Sequence, residues 1–213
     1  MTRTVLCFGD SNTHGTIPME TLNDIGRFPR DVRWTGQLAG LLPGWHVIEE
    51  GQPGRTTLHD DPVEGPHRNG LTVLPAILES HRPIDAVILM LGTNDLKGRF
   101  SNSPTDIALS IEKLVLTIRA SLTGPGLTAP GVLLVAPPPI REVAPLGEIF
   151  WGGEAKSQHL GARIAQSARR VSVPFLDAGT LVKVSDVDGI HYDAHEQTVL
   201  AQAFAEAVRQ HFG

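Results

Sequence analysis

Ala86-Val87-Ile88-Leu89-Met90-Leu91-Gly92-Thr93-Asn94-Asp95 is the stretch whose reading decides the fold. Six apolar residues follow one another without a polar interruption, and the run then stops at a glycine and three small polar residues. An amphipathic strand would alternate. A continuous run of this length fits a strand covered on both faces, as in a parallel sheet. It is far too short for the ~20 apolar residues of a membrane-spanning helix.

Four further runs repeat the pattern: Thr4–Phe8, His46–Glu50, Gly131–Ala136 and Val173–Asp177. Between the runs lie segments of helical period, at about Trp34–Leu42, Leu71–His81, Ile107–Leu122, Lys156–Arg170 and His195–Phe212. Pro104 and Asp106 supply start signals for the third of these. Strands alternating with helices predict right-handed βαβ units and a doubly wound α/β sheet with helices on both sides. The chain has 213 residues and no internal repeat or linker, so a single domain over 1–213 is expected.

Composition narrows the class. A hydrophobic fraction of 41% and a charged fraction of 19% exclude general disorder. Eighteen basic against 23 acidic side chains give a net charge of −5 with no basic stripe, which argues against nucleic acid as a partner. Cys7 is the single cysteine, so no intramolecular disulfide forms, and it reads as a small buried hydrophobe in mid-strand. The apolar run before Gly9 is too short for a signal-peptide core, so a cytoplasmic protein with no membrane partner is expected.

Ligands of open α/β sheets bind beyond the carboxyl ends of the strands. Those ends read Gly9-Asp10-Ser11-Asn12, Gly51, Gly92-Thr93-Asn94-Asp95, Pro137-Pro138-Pro139 and Asp177-Ala178-Gly179, followed by Asp188-Gly189-Ile190-His191 before the last helix. Ser11 carries two readings, a helix cap or a nucleophile whose N–H also faces an oxyanion. His191 is the candidate base, and Asp188, three residues earlier, the candidate acid that holds its ring. Thr16–Asp31 and His59–Gly70 read equally as pocket walls or as plain surface loops. His191 and His195 with His59-Asp60-Asp61 have a spacing that permits metal. Tyr192 stands where a zinc protease needs Glu, however, and no metal is expected. Walker and Gly-x-Gly-x-x-Gly loops are both missing from the sequence, and no cofactor is expected.

Taken together, Gly9-Asp10-Ser11-Asn12, Gly51 within Glu50–Thr57, Gly92-Thr93-Asn94-Asp95 and Asp188-Gly189-Ile190-His191 resemble, in order, the four blocks of the SGNH, or GDSL-type, hydrolases. Asp31–Gly36, Met90–Asp95, Ala136–Pro139 and Val173–Gly179 look like the bacterial arylesterase and acyltransferase branch of that family. The resemblance implies a flavodoxin-like three-layer sandwich around a five-stranded parallel sheet. It also implies a serine esterase acting on small short-acyl esters, aryl acetates or acetylated carbohydrates, through an acyl-enzyme. Ser11, Asp188 and His191 would form the catalytic triad, and the N–H groups of Ser11 and Gly51 with the Asn94 amide would form the oxyanion hole.

Two rivals are acyl transfer to alcohols with the same triad and a non-catalytic flavodoxin-like ligand-binding module. Members noted for acyl transfer in water carry tryptophans just after the nucleophile block, where this chain has His14 and Thr16, so hydrolysis is favoured. Asp10 and Asp95 are expected to brace strand-end turns. Arg55 either fixes the second block through a carboxylate or is solvated. The family resemblance implies a homo-oligomer, for which Ile149-Phe150-Trp151 reads as either an interface patch or core.

Overall fold

The computed structural model describes residues 2–213. Five strands, β1 (Arg3–Gly9), β2 (Trp45–Gly51), β3 (Ala86–Met90), β4 (Gly131–Ala136) and β5 (Phe175–Asp177), form one parallel sheet in the order β2-β1-β3-β4-β5. The helices are α1 (Ser11–His14), α2 (Trp34–Leu41), α3 (Gly70–His81), α4 (Pro104–Ala120), α5 (Gly153–Arg170) and α6 (Ala194–Phe212).

Side chains alternate across the sheet and make two cores. Leu6, Phe8, Val87, Leu89 and Leu134 pack under α3, α4 and α5. Val5, Cys7, Ile88, Met90 and Val135 pack under α2 and α6, where Trp34 meets Phe204 edge to face at 4.8 Å. Burial on both sides explains why β3 and β4 carry no polar side chain.

The elements fall where the sequence places them, with shifts at their ends. α4 starts at Pro104 because Ser103 and Asp106 close a reciprocal capping box. α5 begins three residues early, after Gly152 at φ 77°. β5 starts only at Phe175, because the ladder to β4 pairs Leu134 with Phe175 and leaves Val173 and Pro174 before it. Among the described residues no helix is long and apolar enough to cross a membrane.

Candidate active site

β1 ends at Gly9, and α1 turns over it so closely that a Cβ on Gly9 would meet the Thr13 side chain and Met90 O. Asp10 is the N-cap, its side chain accepting from Asn12 N at 2.9 Å, so the capping reading of Ser11 does not hold. Ser11 is the first helical residue instead. Its side chain is free, its N–H belongs to the unpaired first turn, and Gly15 at φ 84° ends the helix one turn later.

The loop before α6 is folded around one carboxylate. Asp188 Oδ1 accepts from the backbone N–H of Ile190 and His191, both at 2.9 Å. Asp188 Oδ2 takes His191 Nδ1 at 2.6 Å and Met19 N at 2.8 Å. Burial alone would push this fully buried carboxyl up, but the bonds from His191 and Met19 and the His191 charge outweigh it and hold the group below the usual carboxylate range. An ionised Asp188 fixes the proton on His191 Nδ1 and leaves the Nε2 lone pair free. Gly189, at φ 70°, has no room for a Cβ against Arg141 O.

Asn12 joins the two ends of the chain. Its side-chain amide donates to Ile190 O at 3.1 Å, and its backbone carbonyl accepts from Trp34 Nε1 at 3.0 Å. Ser11 and His191, 5% and 4% exposed, thereby share the wall of one cavity of about 400 Å³. Asn94 lines it too, following Gly92, whose φ of 116° turns the chain off β3. Among the described residues Ser11 Oγ, His191 Nε2 and the Asn94 amide make no hydrogen bond within the protein. The hydroxyl–imidazole bond is thus open, as is common before substrate enters.

Gly51 is placed differently. It is not among the cavity-lining residues, and the space its side chain would fill is taken by the backbone of Thr13 and His14. It is a glycine because α1 packs on it. Gln52 N donates to Gly9 O, so in this parallel pair Gly9 uses the ladder and the Gly51 N–H points away from β1.

Asp95 accepts from Thr57 N at 3.1 Å and Thr57 Oγ1 at 2.5 Å, tying the Asn94 turn to the loop after β2; burial pushes its carboxyl up. Arg55 corrects both sequence readings, since it is buried and binds no carboxylate. Its Nη1 donates to Gly9 O at 2.9 Å and to Glu50 O, and its guanidinium lies 4.2 Å over the Phe8 ring, bracing the ends of β1 and β2. Burial lowers its pKa to about 10.

Both irregular stretches are pocket walls. Met19, Leu22 and Ile25 come from the first, and Val63 and Glu64 from the second. Arg27 and Arg33 hold the first wall onto Glu49 of β2. Leu146, Ile149 and Phe150 complete the apolar side, while His14, Thr16, Lys97 and Arg99 make the cavity partly polar. Lys97 and Arg99 are paired with Asp61 and Glu64. Burial, then the charges of Arg27 and Arg33, lower His14 to about 4, so its ring is neutral at ordinary pH. Cys7 is buried, and burial pushes its thiol well up. Among the described residues no three His, Cys, Asp or Glu side chains converge to hold a metal.

A buried Asp–His pair and a strand-end serine on the wall of one largely apolar pocket define the class of α/β hydrolytic enzymes that work by an activated hydroxyl. Residues 7–199 match the model of the GDSL-like Lipase/Acylhydrolase family. The native aryl esterase of M. smegmatis is 45% identical, with 98% of this chain and 99% of that one covered and a TM-score of 0.93. A carbohydrate acetylesterase from Sinorhizobium meliloti is 42% identical over 98% of this chain and 99% of its own, also with a TM-score of 0.93. A comparison with curated protein sequences gives no match. The chain belongs to the GDSL-like lipase/acylhydrolase family, the SGNH hydrolases, and is a serine esterase by class.

Proposed function

We propose that the protein hydrolyses small short-acyl carboxylic esters, aryl acetates or acetylated carbohydrates, through a Ser11 acyl-enzyme. The observation that carries the reading is that Ser11, Asn94 and His191 line one cavity while Asp188 fixes the His191 tautomer. Ser11 Oγ attacks the acyl carbon as His191 Nε2 takes the hydroxyl proton, and Asp188 stabilises the imidazolium. The Ser11 N–H and the Asn94 amide hold the oxyanion, each worth about 3 kcal/mol in comparable sites, and the Gly51 N–H, which points away from β1, is the third donor that the family resemblance implies.

His191 passes the proton to the leaving alcohol as the ester bond breaks. Water, deprotonated by the same Nε2, then attacks the acyl carbon, and the proton passes to Ser11 Oγ as the acyl–serine bond breaks and the acid leaves. Apolar Leu146, Ile149 and Phe150 suit a short acyl or aryl group, and the neutral His14 and Thr16 beside the serine keep a polar edge that favours water over alcohol as acceptor. The aryl esterase and acetylesterase relatives support both substrate types.

The purified protein is expected to hydrolyse p-nitrophenyl acetate and to take one covalent label from a serine-reactive fluorophosphonate. Ser11→Ala is expected to lose both. Equal rates for the two proteins, or a label elsewhere than Ser11, would remove Ser11 from the mechanism.

A further inference from the structure

The tripeptide Ile149-Phe150-Trp151 divides in the structure. Phe150 is core at 2% exposure and Ile149 faces the catalytic cavity, but Trp151 is 79% exposed. Its backbone is not loose. Ile149 O accepts from Gly98 N at 2.9 Å, Gly153 N donates to Phe150 O at 2.7 Å, and α5 starts two residues later, so the backbone that carries Trp151 is pinned on both sides. A solvent-facing indole on a pinned backbone presents a large apolar face whose burial the fold leaves unused.

That face belongs to a groove of about 560 Å³, lined also by Arg99, Ser101, Glu148 and Lys156. The groove is a neighbour of the catalytic cavity, because Arg99 and Ile149 belong to the lining of both. A ligand reaching over that shared wall would have one end beside Ser11 and the other on Trp151.

We propose that this groove is a glycosyl subsite, with Trp151 as its stacking platform, for the alcohol part of an acetylated oligosaccharide. The inference rests on the esterase reading above and names the part of the substrate that lies outside the acyl pocket. The chemistry of the groove selects a sugar over a second aryl group. A pyranose has apolar C–H faces and a rim of hydroxyls, which matches one flat indole edged by a guanidinium, an ammonium, a carboxylate and a hydroxyl. An aryl group gains more from the enclosed apolar wall of the catalytic cavity itself.

The test compares kcat/KM for acetylated xylobiose with kcat/KM for p-nitrophenyl acetate, whose leaving group is one ring, in the wild type, Trp151→Ala and Trp151→Phe. Trp151→Ala is expected to lower the sugar-to-aryl ratio about tenfold, equivalent to ~1.4 kcal/mol. The loss should fall on KM for the sugar ester, and Trp151→Phe should recover most of it. Trp34 is buried and Trp45 is half-buried at the amino end of β2, away from the groove, so titrating the Ser11→Ala protein with acetylated xylobiose is expected to change the emission of Trp151. That change should disappear when Trp151→Phe is added.

An unchanged ratio in Trp151→Ala overturns the subsite. So does a change in oligomeric mass on sedimentation with the ratio unmoved, which would put Trp151 at a contact between copies. A wild type inactive on p-nitrophenyl acetate would be a failure of the esterase reading, not of the subsite alone.

Discussion

Asp188 and Asp10 are both buried carboxyls close to His191, yet their surroundings drive them in opposite directions. Asp188 receives four hydrogen bonds, one of them from the imidazole, and is held low. Asp10 receives one from Asn12 N, and burial pushes it up to about 6 from an ordinary 3.8, although Arg55 and His191 pull the other way. The sign of the linkage follows. A carboxyl raised on folding favours the folded state below the unfolded pKa, and that contribution is lost as pH rises from 3.8 through about 6. The ionised Asp10 at pH 8 therefore costs the fold up to roughly 3 kcal/mol. Asn is an equally good N-cap and cannot ionise. Asp10→Asn is expected to raise Tm relative to wild type at pH 8 and to lose most of that advantage at pH 4.5, as read by thermal melts in matched buffers. A difference that does not vary with pH would show that Asp10 is not charged at the cost of stability.

At the scale of elements, the site depends on how tightly α1 rides on two strand ends. Gly51 gives its side-chain volume to the backbone of Thr13 and His14. Gly51→Ala must push α1, and Ser11 with it, off its seat. Overpacking of this kind costs ~1–3 kcal/mol. Displacement of a nucleophile by about 1 Å costs about 10²-fold in rate. The variant is expected to fold by circular dichroism and to lose about 10²-fold in kcat on p-nitrophenyl acetate; wild-type kcat would show that α1 is free to shift without harm. From the sequence Gly51 reads as a glycine that lets a backbone amide approach the substrate, whereas the space its side chain would fill is taken by a helix thirty-seven residues upstream. The strands were legible since burial on both faces leaves its own composition, as in Val87–Leu91. So was the Asp188–His191 pair, a contact three residues long. What stayed hidden is non-local: Met19 N on Asp188, Asn12 on Ile190, and Arg55 on two strand-end carbonyls in place of a carboxylate.

Across the whole molecule the site occupies one edge of the sheet, and stability is spread through the two cores beneath it. Helices that follow parallel strands run back from the carboxyl edge, so the last turn of α4 lies at the far edge from Ser11. Ile118, in that turn, is fully buried in the core under α3, α4 and α5. Ile118→Ala leaves a cavity and is expected to cost ~2–5 kcal/mol. None of the hydrogen bonds of Asn12, Asp188 and His191 involves it, so kcat/KM in the absence of denaturant should stay within about twofold of wild type. The urea midpoint should fall, and activity and far-ultraviolet ellipticity should be lost together, because Ser11 and His191 come from opposite ends of the chain and meet only while both layers are closed on the sheet. Activity lost at a lower urea concentration than ellipticity would show instead that the pocket loops 16–31 and 59–70 open as a unit of their own before the cores give way.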